Sequence, residues 1–132
     1  MGFSMSTEMS ILALYGLLVA ITILVQVLAA AGQVGLAELA KPRDDMPKLT
    51  GTAGRLDRAQ LNSVIALAMF APAVLMLNAQ TALTAGTLLA AQIFLAARVV
   101  YLIVYITGTP WIRTLAWVVG FLVTVWFYIL AL

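Results

Sequence analysis

With 132 residues, of which 64% are hydrophobic and only 9% charged, the chain is far from the roughly 25% charged residues of soluble domains, so a water-soluble monomer is excluded. The net charge of +2 comes from seven basic and five acidic residues, too few for the phosphate-tracking surface of a nucleic-acid-binding protein. The chain has no Cys and no His, so disulfides, Cys-ligated metals and the commonest general base are excluded.

Four apolar segments are long enough to cross a bilayer, which takes about 20 mostly apolar residues. In chain order, the predicted spans cover residues 11–36, 59–77, 81–106 and 113–132. Helix is favoured, because a membrane β-barrel would show shorter segments of alternating hydrophobicity. We expect the first span to be a retained helix, since no Lys or Arg precedes it and its apolar run is too long for a signal peptide. The sequence therefore predicts an all-α fold, a four-helix transmembrane bundle that forms one domain over residues 1–132.

The basic residues are distributed on one side of these spans. Five of the seven lie in residues 37–58, between the first two spans, and the other two, Arg98 and Arg113, lie toward the same membrane face. The opposite face, with both termini and the predicted turn at residues 78–80, has none. Because cytoplasmic loops are enriched in Lys and Arg, residues 37–58 and 107–112 are predicted to be cytoplasmic.

The third span carries small residues four apart at Ala82, Gly86 and Ala90. Small residues at this spacing let two helix backbones approach closely. Packing within one bundle and contact between subunits are both consistent with the pattern.

The most informative residue is Arg98, which lies about 12 Å inside the end of the third span at a rise of 1.5 Å per residue. An intramembrane arginine costs at least about 2.5 kcal/mol on insertion scales, so we expect it to have a partner or a ligand. Tyr101 and Tyr105 follow at i+3 and i+7 and share its helix face. Snorkelling of Arg98 to the interface and a membrane-belt role for the tyrosines are the alternatives.

Three more polar residues fall in the same half of the membrane. Arg58 and Asn62 are one turn apart at the start of the second span, and Arg113 begins the fourth. An interhelical hydrogen bond with a purely structural role is the alternative for Asn62. Together these groups could line a positively charged pocket for a small anion with carboxylates, where nearby cations would also favour a bound thiolate.

Two segments of the chain resemble the MAPEG family, the membrane-associated proteins in eicosanoid and glutathione metabolism. They are KPRDDMPKLTGTAGRLDRAQLN at residues 41–62 and AARVVYLIVYITGTPWIRTLAW at residues 96–117. Within the first, RAQLN at residues 58–62 is similar to the family's Arg-Ala-x-x-Asn core. The resemblance covers most of the chain between these limits.

The resemblance implies a homotrimer in a bacterial inner membrane, with glutathione bound between subunits and a lipophilic small-molecule substrate that enters from the membrane lipids. The positions that contact glutathione in the family match Arg58, Asn62, Arg98, Tyr101 and Tyr105. Arg113 resembles the arginine proposed to hold the glutathione thiolate, with Tyr105 as a second catalytic candidate.

One position departs from the family pattern. Ile65 stands where the family motif has a Glu that would meet the glutathione amino group or pair with an arginine, and no acidic residue lies inside any predicted span. One interpretation is a membrane glutathione transferase or peroxidase acting on lipophilic electrophiles or lipid hydroperoxides. The other is a non-catalytic MAPEG-like protein that binds a lipid, another anion or a partner complex. A small multidrug exporter is disfavoured, because such exporters use an intramembrane carboxylate.

Overall fold

The computed structural model describes residues 6–132, which form four long helices and one short helix. The helices are α1 (Glu8–Val34), α2 (Leu36–Ala40), α3 (Gly51–Ala79), α4 (Ala85–Thr107) and α5 (Pro110–Ala131). One turn of 3-10 helix lies between α2 and α3 at Arg43–Asp45. All four long helices are long and apolar enough to cross a membrane. The prediction of an all-α, four-span integral membrane protein is therefore confirmed.

The long helices pack most extensively as two pairs, α1 with α3 and α4 with α5, and α3 also contacts α4 and α5 and so joins the pairs. The bundle has two ends. We call the end that holds α2, residues 41–50 and residues 108–109 the loop face. The end that holds Thr7, the turn at residues 80–84 and Leu132 is the terminal face.

Buried aromatic side chains fill the centre of the bundle toward the terminal face. The rings of Phe70 and Phe94 stack with centroids 3.8 Å apart, and Tyr15 meets Phe94 edge-on at 5.1 Å. Phe127 lies 5.7 Å from Phe70. Aromatic pairs of this kind add roughly 0.5–1.5 kcal/mol beyond their buried area. The buried polar residues Ser63 on α3 and Arg98 on α4 lie on the loop-face side of this core, whereas Thr87 lies near the terminal face.

Helix α3 extends well beyond the predicted span at residues 59–77, since it begins at Gly51. Its start is fixed by Gln33 at the end of α1. The Gln33 side chain accepts a hydrogen bond from the Thr50 backbone N–H at 2.8 Å and donates one to the Thr50 carbonyl at 3.1 Å. Hydropathy marks the part of a helix that lies in the bilayer, whereas this polar contact sets where the helix begins. The connection between the first two spans is correspondingly shorter than residues 37–58.

Two acidic residues lie in the spanning helices, near their ends, where the sequence led us to expect none. Glu8 opens α1, is buried, and accepts a hydrogen bond from the Thr87 hydroxyl at 2.7 Å. Asp57 lies in α3 and accepts from the amides of Gln26 at 3.3 Å and Gln60 at 3.1 Å. Both carboxylates therefore have neutral partners. Both helices begin before the predicted apolar spans, so they include these two residues.

The connections to α4 and α5 follow from local sequence. The turn between α3 and α4 lies at residues 80–84, because α3 continues through the predicted turn as far as Ala79. Thr84 caps α4 by accepting a hydrogen bond from the Thr87 backbone N–H at 3.2 Å. Gly108 ends α4 with a φ of 85°, a conformation that glycine adopts without strain, and Pro110 starts α5.

The small-residue stripe predicted in the third span is divided between the interior and the surface, and Ala82 lies in the turn before α4 and not in the helix. Ala82 and Ala90 pack against the buried core of the same chain. Gly86 is exposed, and a Cβ added there would lie 3.9 Å from the Trp126 ring. Internal packing therefore accounts for two of the three positions.

Candidate functional site

Arg98 is only 2% exposed and is hydrogen-bonded to three other side chains. Its Nε donates to the Tyr15 hydroxyl at 3.2 Å, and its Nη2 donates to Asn62 Oδ1 at 2.9 Å and to Ser63 Oγ at 3.3 Å. Its guanidinium also lies 4.2 Å from the centroid of the Tyr101 ring. These five residues form the deep cluster. Arg98 does not snorkel, and Asn62 does make the interhelical hydrogen bond considered as its structural role.

Three helices build the deep cluster around α4. Tyr15 on α1 is oriented by its own hydroxyl, which donates to the Ser63 carbonyl on α3 at 3.0 Å. Gly120 on α5 leaves room for the arginine stem, because a Cβ there would lie 3.4 Å from Arg98 Cδ. Within residues 6–132, no carboxylate lies within ion-pair distance of Arg98. Its positive charge is thus balanced only by neutral groups and a ring face, which is costly for a buried ion.

A cavity of about 90 Å³ opens beside the deep cluster, between α3, α4 and α5. Arg98, Asn62 and Thr124 are its polar lining residues, and most of the others are apolar. Ile65 also lines it and is 59% exposed. The position that departs from the family motif therefore faces the cavity onto which Arg98 opens.

A second group of polar residues lies at the loop face. Arg58 Nε donates to the Tyr105 hydroxyl at 3.1 Å, and the guanidinium of Arg113 lies 5.0 Å from the centroid of the Tyr105 ring. Arg55 donates through Nη1 to the Ile106 carbonyl at 3.1 Å, beside Gly108. Arg55, Arg58, Tyr105 and Arg113 form the loop-face cluster. They line a cavity of about 250 Å³ that has no acidic residue in its wall.

The two clusters meet along α4. The rings of Tyr101 and Tyr105 lie 5.5 Å apart, so Arg98, Tyr101 and Tyr105 do form one continuous helix face. A further cavity of about 270 Å³ is lined by both tyrosines and by Arg113. The structure thus divides the predicted site residues into a deep group, with Asn62, Arg98 and Tyr101, and a loop-face group, with Arg58, Tyr105 and Arg113.

Sequence reasoning missed Tyr15, Ser63 and Arg55. Ser63 directly follows Asn62, so its position beside a predicted site residue was a usable signal. Arg55 was counted only as a loop charge, because helix α3 was expected to begin after it. For Tyr15 no local signal exists, since it meets Arg98 from 83 positions away.

The model of the MAPEG family matches residues 9–132, which is nearly the whole chain. Comparison with curated proteins and comparison with solved structures give no match.

Proposed function

The chain belongs to the MAPEG family, and we propose that it is a membrane glutathione transferase or peroxidase acting on lipophilic electrophiles or lipid hydroperoxides. We propose a homotrimer, because members of this family commonly form trimers. The charge distribution supports placement in a bacterial inner membrane with residues 37–58 and 107–112 on the cytoplasmic side.

The loop-face cluster is the observation that carries this proposal. Three guanidinium groups surround one cavity, and no acidic side chain in its wall competes for them. Glutathione has two carboxylates, and arginine is the side chain best suited to bind a carboxylate through two parallel hydrogen bonds. We assign Arg55 and Arg58 to these carboxylates. Contact of glutathione with Asn62, Arg98 and Tyr101, which the resemblance implies, stays a prediction.

The same cluster provides groups that can act on sulfur. When bound, glutathione supplies the thiol that attacks the electrophile. The Tyr105 hydroxyl accepts a hydrogen bond from Arg58, so its own proton is free to be donated to a thiolate. Arg113 is held over the Tyr105 ring and places a second positive charge beside that ring. A nearby cation favours the thiolate over the thiol, and the thiolate is the nucleophile.

One part of glutathione has no acidic partner in these cavities. Its ammonium requires an acceptor, and the family position for that acceptor holds Ile65. This observation favours a second candidate function, a non-catalytic MAPEG-like protein that holds a lipid or another anion.

Calorimetric titration of the detergent-purified protein with glutathione tests the proposal. Arg58→Ala should weaken binding about tenfold or more, because a charge-assisted hydrogen bond is lost. Arg113→Ala should lower kcat for conjugation of a lipophilic aryl halide more than it changes KM. Arg43→Ala is the matched control, since Arg43 is exposed and lies outside the cluster. Absence of binding by the unmodified protein at millimolar glutathione would contradict the proposal.

A further inference from the structure

A separate cavity of about 290 Å³ lies between α1, α2, α3 and residues 41–50, and no residue of the deep cluster or the loop-face cluster lines it. We propose that this cavity binds a phosphodiester that carries a primary ammonium, the headgroup of phosphatidylethanolamine. The phosphodiester contacts Arg43 and Lys48, and the ammonium contacts Asp57. This inference does not depend on glutathione binding.

The carboxylate of Asp57 provides the first reason. Its Oδ1 accepts hydrogen bonds from the amides of Gln26 at 3.3 Å and Gln60 at 3.1 Å, so both of these partners are neutral. Among the described residues, no basic group lies within ion-pair distance of Asp57. The side chain is half-buried in a spanning helix, where a charge without a counter-charge is costly. A cationic group of a ligand would supply that counter-charge at an acceptor that the two amides already hold in place.

Two cations on the opposite wall provide the second reason. Arg43 and Lys48 line the cavity, and neither has an acid within ion-pair distance in the part of the chain that the structure describes. The neighbouring acids, Asp44 and Asp45, do not line it. Arginine and lysine are the usual side chains that bind a phosphate oxygen. The wall formed by residues 41–50 is therefore suited to the phosphodiester.

The presence of both signs of charge limits the ligand class. A simple anion would meet the negative charge of Asp57, and a simple cation would meet Arg43 and Lys48. A ligand that joins an anionic group to a cationic one through a short link can satisfy both walls at once. Phosphoethanolamine has this arrangement, and its primary ammonium donates hydrogen bonds that a quaternary ammonium lacks.

The depth of the cavity matches the headgroup layer of a membrane. Helix α3 has 29 residues, which at a rise of 1.5 Å per residue is about 43 Å, longer than the roughly 30 Å of hydrocarbon. Asp57 lies six positions after Gly51, about 9 Å from the start of the helix and just outside the predicted apolar span at residues 59–77. The charged wall is therefore at the boundary between hydrocarbon and water.

An apolar surface continues from the cavity and favours a lipid over a soluble zwitterion such as glutathione. Besides its charged residues and Gln26, the cavity is lined by apolar residues: Val27, Ala30, Leu39, Met46, Pro47 and Leu49. Val27 is exposed and lies on one face of α1 with Leu24 and Leu28, which are exposed as well. Acyl chains can pack along this face while the headgroup occupies the cavity, whereas a tripeptide has no apolar body to cover it.

The test measures binding of radiolabelled dioleoyl phosphatidylethanolamine to the detergent-purified protein without glutathione. Unlabelled phosphatidylethanolamine should compete about tenfold or more strongly than phosphatidylglycerol or phosphatidylcholine with the same chains, because only its ammonium forms charge-assisted hydrogen bonds to Asp57. Equal competition by the three lipids would overturn the proposal. Glycerophosphoethanolamine, which has the headgroup without the chains, should compete weakly. If it competes as well as the lipid, or if millimolar glutathione displaces the label, the cavity takes a soluble ligand and the lipid assignment is wrong.

Asp57→Asn keeps an oxygen that can accept from Gln26 and Gln60 but removes the charge. It should weaken binding of phosphatidylethanolamine about tenfold or more and abolish the preference over phosphatidylglycerol. Asp45→Asn is the matched control, because Asp45 is exposed in the same connection and does not line the cavity. An Asp57→Asn variant that keeps the full preference would refute the role of this carboxylate.

Lys48→Gln tests the other wall in a residue that is exposed and has no hydrogen bond to maintain the fold. It should weaken binding of phosphatidylethanolamine and phosphatidylglycerol alike and leave the preference between them unchanged, since both lipids carry the phosphodiester. Unchanged binding of both lipids would contradict the proposed phosphate contact. Lipid binding without glutathione binding would remove the proposed enzyme function and leave this inference standing, whereas the reverse result would do the opposite.

Discussion

Arg98 on α4 donates a hydrogen bond through Nε to the hydroxyl of Tyr15 on α1 at 3.2 Å, across 83 positions of sequence. The same hydroxyl donates to the Ser63 carbonyl on α3 at 3.0 Å. One phenol therefore connects three helices at the depth where the aromatic core ends and the deep cluster begins. The arginine is held in place before any ligand arrives, and its positive charge remains available to the adjoining cavity.

Tyr15→Phe should destabilise the protein by about 1.5–3 kcal/mol, because it removes an acceptor from a buried charged donor. The ring packing against Phe94 would be kept. Thermal unfolding in detergent, followed by circular dichroism, measures the change. Tyr128→Phe is the matched control, since it removes only a neutral hydrogen bond to the Met69 carbonyl, and its effect should be smaller. Equal stability of Tyr15→Phe and the unmodified protein would show that this contact contributes nothing.

Gly54→Ala should destabilise the protein by about 1–3 kcal/mol through steric overlap. A Cβ at this position would lie 2.7 Å from the Leu49 carbonyl oxygen, a backbone atom that cannot move aside as a flexible side chain could. Gly32→Ala should instead be neutral or stabilising by up to about 1 kcal/mol, because Gly32 is in a helix with no atom within 4 Å of the added Cβ. Thermal unfolding of the two variants measures the difference. If Gly54→Ala changes stability no more than Gly32→Ala does, the close approach of Leu49 to the helix is contradicted.

Ile65→Glu should raise the affinity for glutathione about tenfold or more if glutathione extends into the cavity lined by Asn62, Ile65 and Arg98, as the family resemblance implies. The new carboxylate would supply the acceptor that the ligand's ammonium otherwise lacks. Calorimetric titration measures the change, with Leu61→Glu as the control for adding an acid to the surface of α3. Asn62→Ala should lower the affinity in the same assay. Unchanged or weaker binding by Ile65→Glu would show that the ammonium is bound elsewhere.

Both termini should lie outside the cytoplasm, because all seven basic residues lie at the loop face or in the halves of the helices next to it. A reporter that fluoresces only in the cytoplasm, fused after Leu132, should give no signal in cells. The same reporter fused after Lys48, in the connection between the first two spans, should be bright. The reversed pattern would invert the predicted orientation.

Several features could be read from the sequence because they depend on local patterns. Runs of apolar residues long enough for the bilayer identified the four spans, and helical spacing placed Arg98, Tyr101 and Tyr105 on one face. Both conclusions need only the geometry of a single helix. The motif at residues 58–62 identified the family in the same way, because its residues are adjacent in the chain.

The tertiary structure decided what depends on contacts between distant residues. The start of α3 is set by Gln33 on another helix, which no hydropathy window detects. The partners of Arg98 come from α1 and α3, so the sequence indicated that this arginine needed a partner but could not identify Tyr15. Helix packing also separated the predicted site into a deep and a loop-face cluster. Periodicity fixes which side chains share a face, whereas only the packing of that face against other helices determines which of them remain accessible to a ligand.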